Sequence, residues 1–498
     1  MTIRRIAAIA AAGLLALCAV LAVNTARYGA LQPTAGARLA LSIDTAAATG
    51  RLAGALRIPT VSSDDASGEA HGQSFAELQT HLRASFPAVF AALTEVPTGT
   101  ASLVLHWAGS DATLPPVALL AHQDVVPADP AALSKWTHPP FSGAVADGRV
   151  WGRGALDDKG SLLAILEAVS VLLAQGHAPA RSVYLVFGHD EEIGGADGAA
   201  AIAQRFAADG LRFAWVLDEG GLIVDRAMPG LLLPVALIGI AEKGFLTVNL
   251  AVDAPGGHSS KPPRHGAIGA MSTAMLRLQE NPMPARIDGA TAALFEHLAG
   301  DWGLPQRVLL ANRWLFEPLV VRLLEREATS DALIRTTTAL TRFDAGIKSN
   351  VLPTSARATA NFRLLPGDSI DGVLEHVQGL VDDLAVSVDT GAFASEPSSL
   401  SSIDDAAYAV IAQAVVASRL DDDEQLIVSP FLTIGATDSR HFEAIADNVY
   451  RFLAVRATVP EVNTIHGIDE SIAVSEYERL IRFYVAVLAN ADGGAPQS

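Results

Sequence analysis

The sequence contains very little cysteine and comparatively little positive charge. Cys18 is its single cysteine, so this sequence can form no internal disulfide and no thiolate metal cluster. Any metal ligands must therefore come from histidine and carboxylate side chains. Lys and Arg together number 35 against 54 for Asp and Glu, which gives a net charge of −19. Such an acidic chain argues against nucleic acid as a partner and is compatible with a site that collects cations.

The sequence also lacks an internal repeat and a phosphate-binding glycine loop. The absence of a repeat of about 20–50 residues argues against a solenoid. Because 50% of the residues are apolar and 18% are charged, a large core is available and general disorder is excluded. From the length of 498 residues we expect two to four domains of about 150 residues each.

An apolar segment lies at the N-terminus, within residues 1–30. Arg4 and Arg5 precede an uncharged run from Ile6 to Val23, which is near the lower length limit for crossing a bilayer and longer than a usual signal-peptide core. We expect a membrane anchor, with a cleaved signal sequence or a buried helix as alternatives. The positive-inside rule places the body of the protein on the periplasmic or extracellular side, either anchored or secreted after cleavage.

Predicted strands and helices alternate in the region after this segment. Val117–Ala121, Val183–Phe187 and Phe213–Leu217 are typical of buried strands, whereas Ser161–Leu173 and Gly198–Phe206 have helical periodicity. This alternation predicts an α/β fold whose central sheet is mostly parallel and flanked by helices. In such sheets, ligands bind beyond the carboxyl ends of the strands.

The pattern changes near residue 243. Phe245–Ala254 and Ala356–Leu364 alternate apolar and polar residues, as strands with one solvated face do. We therefore expect a smaller α+β domain, residues 243–366, inserted into a larger discontinuous domain formed by residues 45–242 and 367–490.

Short clusters of acidic residues and histidine follow the predicted strands and a glycine-rich turn. The candidate site residues in them are His122, Asp124, Asp157, Asp158, Glu191, Glu192 and Asp218, and His466 follows much later. Each cluster alone also fits an ordinary role: a loop histidine, a helix-capping aspartate or a solvated acidic turn. Together they place several hard ligands at one edge of the sheet. Without thiolates, this set suits zinc, and manganese or cobalt less well.

These motifs resemble those of the co-catalytic zinc metallopeptidases that include carboxypeptidase S, glutamate carboxypeptidase and aminoacylase. The similarity is greatest to carboxypeptidase S and to the secreted N-acyl-amino-acid hydrolases and synthases. The matching segments are Leu120–Pro127, Trp151–Gly154, Asp157–Gly160, Asp190–Glu192, Leu217–Gly221 and Gly256–Ser260. The resemblance implies a zinc-exopeptidase catalytic domain with an inserted lid or dimerisation domain.

The resemblance also implies a dinuclear metal site with two Zn²⁺ ions, or Co²⁺ or Mn²⁺ in their place. Asp157 would bridge the two ions. His122 and Asp218 would complete the ligands of one ion, and Glu192 and His466 those of the other. A carboxylate suits the bridging position because its two oxygens can hold ions about 3.5–4 Å apart.

Three further residues take catalytic roles in this resemblance. Glu191 would be the general base that accepts a proton from the attacking water and passes it to the leaving amine. Asp124 would orient the imidazole of the preceding metal ligand. His258, on the inserted domain, would donate to the oxyanion, although a turn histidine is the alternative. In dimeric relatives this histidine comes from the neighbouring subunit, and the sequence leaves open whether this chain forms such a homodimer.

Two residues indicate the substrate class. Asn350 and Arg363 match positions that contact a free carboxylate, and an arginine can grip a carboxylate at two points; a surface arginine is the alternative. We expect a hydrolase of amide bonds, first as a metallopeptidase of the carboxypeptidase type acting on short peptides. An N-acyl-amino-acid amidohydrolase or synthase using the same site is the alternative. A catalytically dead binding homologue and a transport component fit the complete ligand set and the single apolar segment poorly.

Overall fold

The computed structural model describes residues 3–29, 39–63, 69–228, 230–420 and 425–492. The chain divides into two compact units, which we call the large unit and the small unit. The large unit comprises Ala30–Ile240, Ser401–Phe431 and Thr437–Ser498. The small unit comprises Met1–Gly29, Ala241–Leu400 and Leu432–Ala436.

Helices and strands are numbered in chain order within the described residues. The α-helices are α1 (Ile3–Arg27), α2 (Thr45–Leu56), α3 (Glu69–Ser85), α4 (Pro87–Ala92), α5 (Lys159–Ala174), α6 (Ala199–Ala208), α7 (Ala267–Glu280), α8 (Gly289–Leu298), α9 (Leu304–Ala311), α10 (Arg313–Leu324), α11 (Ala328–Ala332), α12 (Ile370–Val381), α13 (Ala406–Ala417), α14 (Val459–Val462) and α15 (Val474–Ala489). The strands are β1 (Thr94–Val96), β2 (Leu103–Trp107), β3 (Val117–His122), β4 (Ala144–Ala146), β5 (Arg149–Trp151), β6 (Val183–Gly188), β7 (Trp215–Asp218), β8 (Ile223–Val224), β9 (Val235–Glu242), β10 (Gly244–Asp253), β11 (Gly257–His258), β12 (Thr337–Ala345), β13 (Val351–Leu352), β14 (Ser355–Leu364), β15 (Ser387–Ser395), β16 (Ile427–Thr433), β17 (Val449–Arg451), β18 (Arg456–Ala457) and β19 (Ser471–Ala473).

A ten-stranded sheet forms the framework of the large unit. Its strand order is β1-β2-β6-β3-β7-β17-β9-β8-β18, and β16 pairs with β9 outside this path. The four central strands β6, β3, β7 and β17 are parallel. Their neighbours β2 and β9 are antiparallel to them. Every residue of β3 is buried, as expected for a parallel strand whose two faces are both covered.

The parallel strands bring their carboxyl ends to one edge of the sheet. His122, the last residue of β3, is the register partner of Gly188, the last residue of β6. The adjacent strand β7 ends at Asp218. Helix α5 starts just after the loop that carries Asp157 and Asp158 and is buried along most of its length, which fixes that loop relative to the sheet.

The predicted α/β class with a parallel central sheet is confirmed. The observed helix α5 extends slightly beyond the predicted range at both ends, which is usual because end residues lack the full set of helical hydrogen bonds. Phe213 lies outside β7 and forms an isolated bridge to Ala446 instead. Antiparallel pairs flank the parallel centre, as in β1–β2 and β8–β9, and the outermost pair at the other edge, β8–β18, is parallel.

The small unit contains a four-stranded antiparallel sheet in the order β12-β14-β10-β15. Burial alternates along β10 and β14, as the sequence pattern in these stretches indicates. The buried face packs with α7 and α12 around a core that includes Leu246, Met271 and Val377. The predicted boundaries of the inserted domain, residues 243–366, stay a prediction.

Helix α1 belongs to the small unit. It is long and apolar enough to cross a membrane by length and composition, and it is largely exposed. Near its C-terminal end, Asn24 donates a hydrogen bond from Nδ2 to Oδ1 of Asn312, at a distance of 3.0 Å. This contact joins the end of α1 to the junction of α9 and α10.

Candidate metal centre

His122 lies at the end of β3, where its side chain is 2% exposed. Its Nδ1 is 3.0 Å from the backbone oxygen of Asp124 and can donate to it. The other ring nitrogen, Nε2, is 2.9 Å from Oδ1 of Asp157. Burial lowers the pKa of the imidazole, but hydrogen bonds to the surrounding carboxylates raise it well above its ordinary value. Nε2 therefore faces a strongly negative environment, as a metal-ligating nitrogen does.

Asp124 connects His122 to the next acidic segment. Its Oδ1 lies 3.3 Å from Nδ1 of His122. The same carboxylate accepts the backbone N–H groups of Glu191 at 3.3 Å and of Glu192 at 3.2 Å. Asp124 is fully buried, so these bonds fix the segment that follows β6 relative to the end of β3.

Asp157 lies between two histidines. Its Oδ1 is 2.9 Å from Nε2 of His122, and its Oδ2 is 2.9 Å from Nε2 of His466. Burial alone raises the pKa of Asp157, but the two imidazoles together hold it well below its usual range. Both oxygens of this one carboxylate are thus directed at different histidines.

Glu192 and His466 meet on the other side of Asp157. Oε2 of Glu192 lies 3.1 Å from Nε2 of His466. The hydrogen bonds from Asp157 and Glu192 raise the pKa of His466 to about 10, against a smaller lowering by burial. In contrast to His122, the side chain of His466 is 51% exposed, and its backbone has a φ of 59°.

Glu219, which follows β7, lies within a motif identified in the sequence but is not among the ligands predicted from it. Its Oε1 lies 3.5 Å from Nε2 of His122. Burial, together with the nearby charge of Asp157, raises the pKa of Glu219 to about 8. A carboxylate with such a high pKa lacks sufficient positive charge around it, which a bound cation would supply.

The carboxylate of the predicted ligand Asp218 accepts hydrogen bonds from the protein backbone. It accepts the backbone N–H of Glu219 at 2.9 Å and that of Ser439 at 2.7 Å. The structure therefore brings Glu219, the next residue along the chain, to His122. The adjacent pair of acids in the sequence signals a ligand here, but only the direction of each side chain shows which of the two approaches the histidine.

Glu191, the predicted general base, follows the buried end of β6. Burial raises the pKa of its carboxyl group well above the ordinary value; His122 opposes this shift, and the negative charges of Asp438 and Glu219 add to it. A raised pKa suits a group that must hold and later release a proton.

Arg153 and Glu470 form a buried ion pair that supports the loop of Asp157. Arg153 Nη1 donates to Oε2 of Glu470 at 2.6 Å, and the two side chains are 3% and 0% exposed. Oε1 of Glu470 accepts the backbone N–H of Gly154 at 2.9 Å and that of Leu156 at 3.0 Å. Arg153 also donates to the backbone oxygen of Gly467, the residue after His466. The pair therefore links the Asp157 loop to the His466 loop, and no pattern in the sequence connects these two residues.

The chemistry of these residues fits a divalent cation. The ligand atoms of His122, Asp157 and Glu192 lie within 4.8 Å of one another, and so do those of His122, Asp158 and Glu219. Among the described residues, Oε1 of Glu192 and Oδ2 of Asp158 are buried without a hydrogen-bond partner. Buried carboxylate oxygens in that condition are costly unless a cation compensates them.

The side chain of Asp158 does not cap helix α5, which was the alternative role expected for it. Asp158 does occupy the N-cap position of α5, but its side chain makes no capping hydrogen bond to the helix backbone. Its Oδ1 accepts the hydroxyl of Ser161 instead.

The predicted substrate residues lie in the small unit. His258 is in β11, which pairs with β13, and the backbone N–H of Ser259 donates to the oxygen of Asn350 at 3.3 Å. His258 and Asn350 thus lie close together at one end of the two-stranded sheet β11-β13. Arg363 is on β14, where its guanidinium stacks 4.6 Å from the ring centre of Phe245.

Comparison with known proteins identifies a family and close relatives. Residues 118–490 match the model of peptidase family M20/M25/M40. The chain is 38% identical to the probable carboxypeptidase S-like 2 of Dictyostelium discoideum, over 96% of this chain and 93% of that protein. It is 40% identical to an N-fatty-acyl-amino acid synthase/hydrolase of Xenopus tropicalis, over 89% of this chain and 85% of that protein.

Solved structures show the same fold at low sequence identity. An M20-family metallo-carboxypeptidase from Sulfolobus solfataricus superposes with a TM-score of 0.63 at 20% identity, over 90% of this chain and 99% of that chain. Human carnosine dipeptidase 1 superposes with a TM-score of 0.61 at 15% identity, over 89% of this chain and 96% of that chain.

Proposed function

Because the chain belongs to peptidase family M20/M25/M40, we propose that it is a zinc-dependent hydrolase that cleaves the amide bond preceding a terminal amino acid. The observation that carries this proposal is the position of Asp157, whose oxygens lie 2.9 Å from Nε2 of His122 and 2.9 Å from Nε2 of His466. A carboxylate between two histidines is suited to bridge a pair of divalent ions.

The proposed ligands divide into two groups that share Asp157. His122 and Glu219 complete the first group, and Glu192 and His466 complete the second. Glu219 takes the place that the sequence analysis gave to Asp218, whose carboxylate is bonded to backbone N–H groups. Two ions held there would polarise the scissile carbonyl and lower the pKa of a nearby water. Zinc is the proposed metal because it combines imidazole nitrogen with carboxylate oxygen ligands, and Co²⁺ or Mn²⁺ is the alternative for the same donors.

Glu191 is the proposed general base. It accepts a proton as the water oxygen bonds to the carbonyl carbon, and it returns that proton to the amine nitrogen as the carbon–nitrogen bond breaks. The products are a carboxylate and a free amino acid. Asp124 supports this step because its carboxylate holds the backbone N–H of Glu191 as well as the imidazole of His122.

His258, Asn350 and Arg363 are proposed to recognise the substrate. Nδ1 of His258 accepts the backbone N–H of Ser260 at 3.1 Å, so a neutral imidazole carries its proton on Nε2. That N–H is suited to donate to the oxyanion that forms on the carbonyl. Asn350 and Arg363 would hold the free carboxylate of the terminal amino acid.

Two substrate classes share this terminal amino acid and differ in the acyl group. Our first candidate is a short peptide, which makes the chain a carboxypeptidase, as in the relative described as carboxypeptidase S-like. The second is an N-acyl amino acid, favoured by the 40% identity to an N-fatty-acyl-amino acid synthase/hydrolase.

We place the protein on the periplasmic or extracellular side, where α1 holds it in the membrane or from where it is released after α1 is cleaved. We also propose that two copies of the chain form a homodimer.

The test measures metal content and hydrolysis on the same purified protein. Elemental analysis should find two zinc equivalents, and chelation should abolish activity that added zinc restores. Release of leucine from a dipeptide should be compared with release from N-fatty-acyl leucine, because their relative kcat/KM values separate the two substrate classes. Activity on neither substrate at full metal content would reject the proposed function.

Glu191→Gln tests the proposed base. Turnover should fall by about 10²- to 10⁴-fold, the usual contribution of a general base, while metal content stays near that of the unaltered protein. Asp197→Asn, an exposed acid on the same loop, is the matched control and should change neither quantity. Turnover of the Gln variant close to that of the control would remove Glu191 from the mechanism.

A further inference from the structure

Helix α10 of the small unit exposes an unusually apolar face. Trp314, Leu315, Leu319 and Leu323 on this helix are between 41% and 62% exposed. Leu315, Leu319 and Leu323 are spaced four residues apart, so they follow one another along the same side of the helix. A contiguous apolar face of this kind marks a surface that contacts a partner or a membrane. We call these four residues the α10 face.

The end of the apolar helix α1 is attached next to the α10 face. Asn312, the buried residue that precedes α10, accepts a hydrogen bond from Asn24 at 3.0 Å. Its own amide group lies 3.3 Å from Oγ1 of Thr25 and 3.4 Å from the backbone oxygen of Leu21. Arg307 of α9 adds a hydrogen bond at 3.4 Å to the backbone oxygen of Tyr28. Side-chain contacts therefore join the end of α1 to the residue that precedes α10.

These contacts determine how deep in a bilayer the first residue of α10 would lie if α1 spans that bilayer. Leu21 belongs to the uncharged run that ends at Val23, so Asn312 lies beside the last apolar turn of α1. Trp314 follows Asn312 by two residues, which is roughly 3 Å along a helix axis. A bilayer that contains α1 would therefore bring Trp314 to its headgroup boundary. Interfacial helices bury their apolar face about 5–10 Å into this boundary.

We propose that α10 lies in the lipid–water interface and gives the chain a second membrane contact besides α1. The occupant of the α10 face is the lipid surface itself. Its composition fits this partner, because tryptophan and leucine are typical of interfacial helices. Arg322 is also exposed on α10, and its long side chain can reach the headgroups while its methylene groups cover apolar surface. This inference rests on the proposed membrane role of α1 and is independent of the proposed chemistry.

The test uses the full-length chain in vesicles of phosphatidylcholine and phosphatidylglycerol. A Leu315→Cys variant in a Cys18→Ser background is labelled with a fluorophore, and lipids with a spin label on the acyl chain serve as the quencher. The fluorophore at position 315 should lose about half of its emission or more, because a label at the interface contacts the spin-labelled acyl chains. Glu375→Cys on α12, an exposed position in the same unit, is the control and should show no quenching.

The native cysteine separates the two assumptions. A label on Cys18, in the middle of α1, reports whether α1 is in the bilayer. Quenching at Cys18 without quenching at position 315 would overturn the role of α10 and leave the anchor intact. Quenching at neither position would overturn both. Energy transfer between labels at position 315 without lipid quenching would assign the α10 face to a second copy of the chain and reject the lipid.

Charge substitutions provide a second measurement on the same labelled chain. Leu319→Glu combined with Leu323→Glu should reduce the quenching at position 315 to the level of the Glu375→Cys control. Leu319→Met combined with Leu323→Met keeps the face apolar and should retain the quenching. Equal quenching in both double variants would show that the α10 face does not contribute to the contact. Circular dichroism on each variant checks that the fold is kept.

Discussion

The two units depart from the usual distribution of polar and apolar residues in opposite ways. The large unit buries charge, since Asp157, Glu192 and Glu219 converge on His122 at the end of its parallel strands. The small unit exposes apolar surface, since the α10 face carries four large apolar side chains. Buried polar groups and exposed apolar patches are the informative departures from the usual distribution. We propose a cation as the partner of the first and a lipid surface as the partner of the second.

The largest expected effect concerns which acid completes the buried cluster of the large unit. Glu219→Gln should remove one metal equivalent and lower turnover by more than about 100-fold, since it replaces a carboxylate that faces His122. Asp218→Asn is the matched neighbour. Its carboxylate accepts two backbone N–H groups, so the loss should stay within the roughly 10- to 100-fold in metal affinity typical of supporting residues.

Elemental analysis and steady-state kinetics on both variants decide between the two acids. A larger loss of metal in Asp218→Asn than in Glu219→Gln would restore the ligand expected from the sequence. It would also weaken the comparison between the units, because Glu219 would then be a buried carboxylate that no metal ion binds directly.

A smaller but distinct effect is expected at the buried ion pair of the large unit. Arg153→Met should lower the free energy of unfolding by about 3–5 kcal/mol, because it leaves the carboxylate of Glu470 buried without its partner. Arg205→Met removes an exposed pair on α6 and should cost less than about 1 kcal/mol. Chemical denaturation measures both values.

The double variant Arg153→Met with Glu470→Gln distinguishes charge from packing. A neutral amide can still accept the backbone N–H groups of Gly154 and Leu156, so the double variant should be more stable than Arg153→Met alone. It should also bind metal less tightly than the unaltered protein, because Arg153 no longer holds the backbone next to His466. Unchanged metal affinity would show that the pair supports only the fold.

The sequence predicted the parts of the molecule that follow from local periodicity. The α/β class and the cluster at the carboxyl ends of the parallel strands could be expected because strand and helix periods are visible in the chain. The choice between Asp218 and Glu219 could not, because adjacent residues point in different directions and one pattern fits both. The partnership of Arg153 and Glu470 was hidden because the two residues are far apart in the chain and meet only after folding.

The α10 face was hidden for a different reason. Leucine and tryptophan in a helical stretch usually indicate a core-facing side, and a sequence does not reveal which sides of a helix remain uncovered. The observed neighbours make the distinction sharp: Val320 is 5% exposed, whereas the adjacent Leu319 is 46% exposed.

The smallest expected effect tests that contrast within one turn of α10. Leu319→Glu should change the free energy of unfolding of the protein in detergent by no more than about 0.5 kcal/mol, because an exposed leucine adds little to the core. Val320→Glu should cost at least about 3 kcal/mol, since it buries an unpaired carboxylate in the small unit. Chemical denaturation of the two variants under identical conditions gives the comparison directly. If Leu319→Glu were as damaging as Val320→Glu, the α10 face would be part of the core, and the exposed apolar surface that distinguishes the small unit from the large unit would not exist.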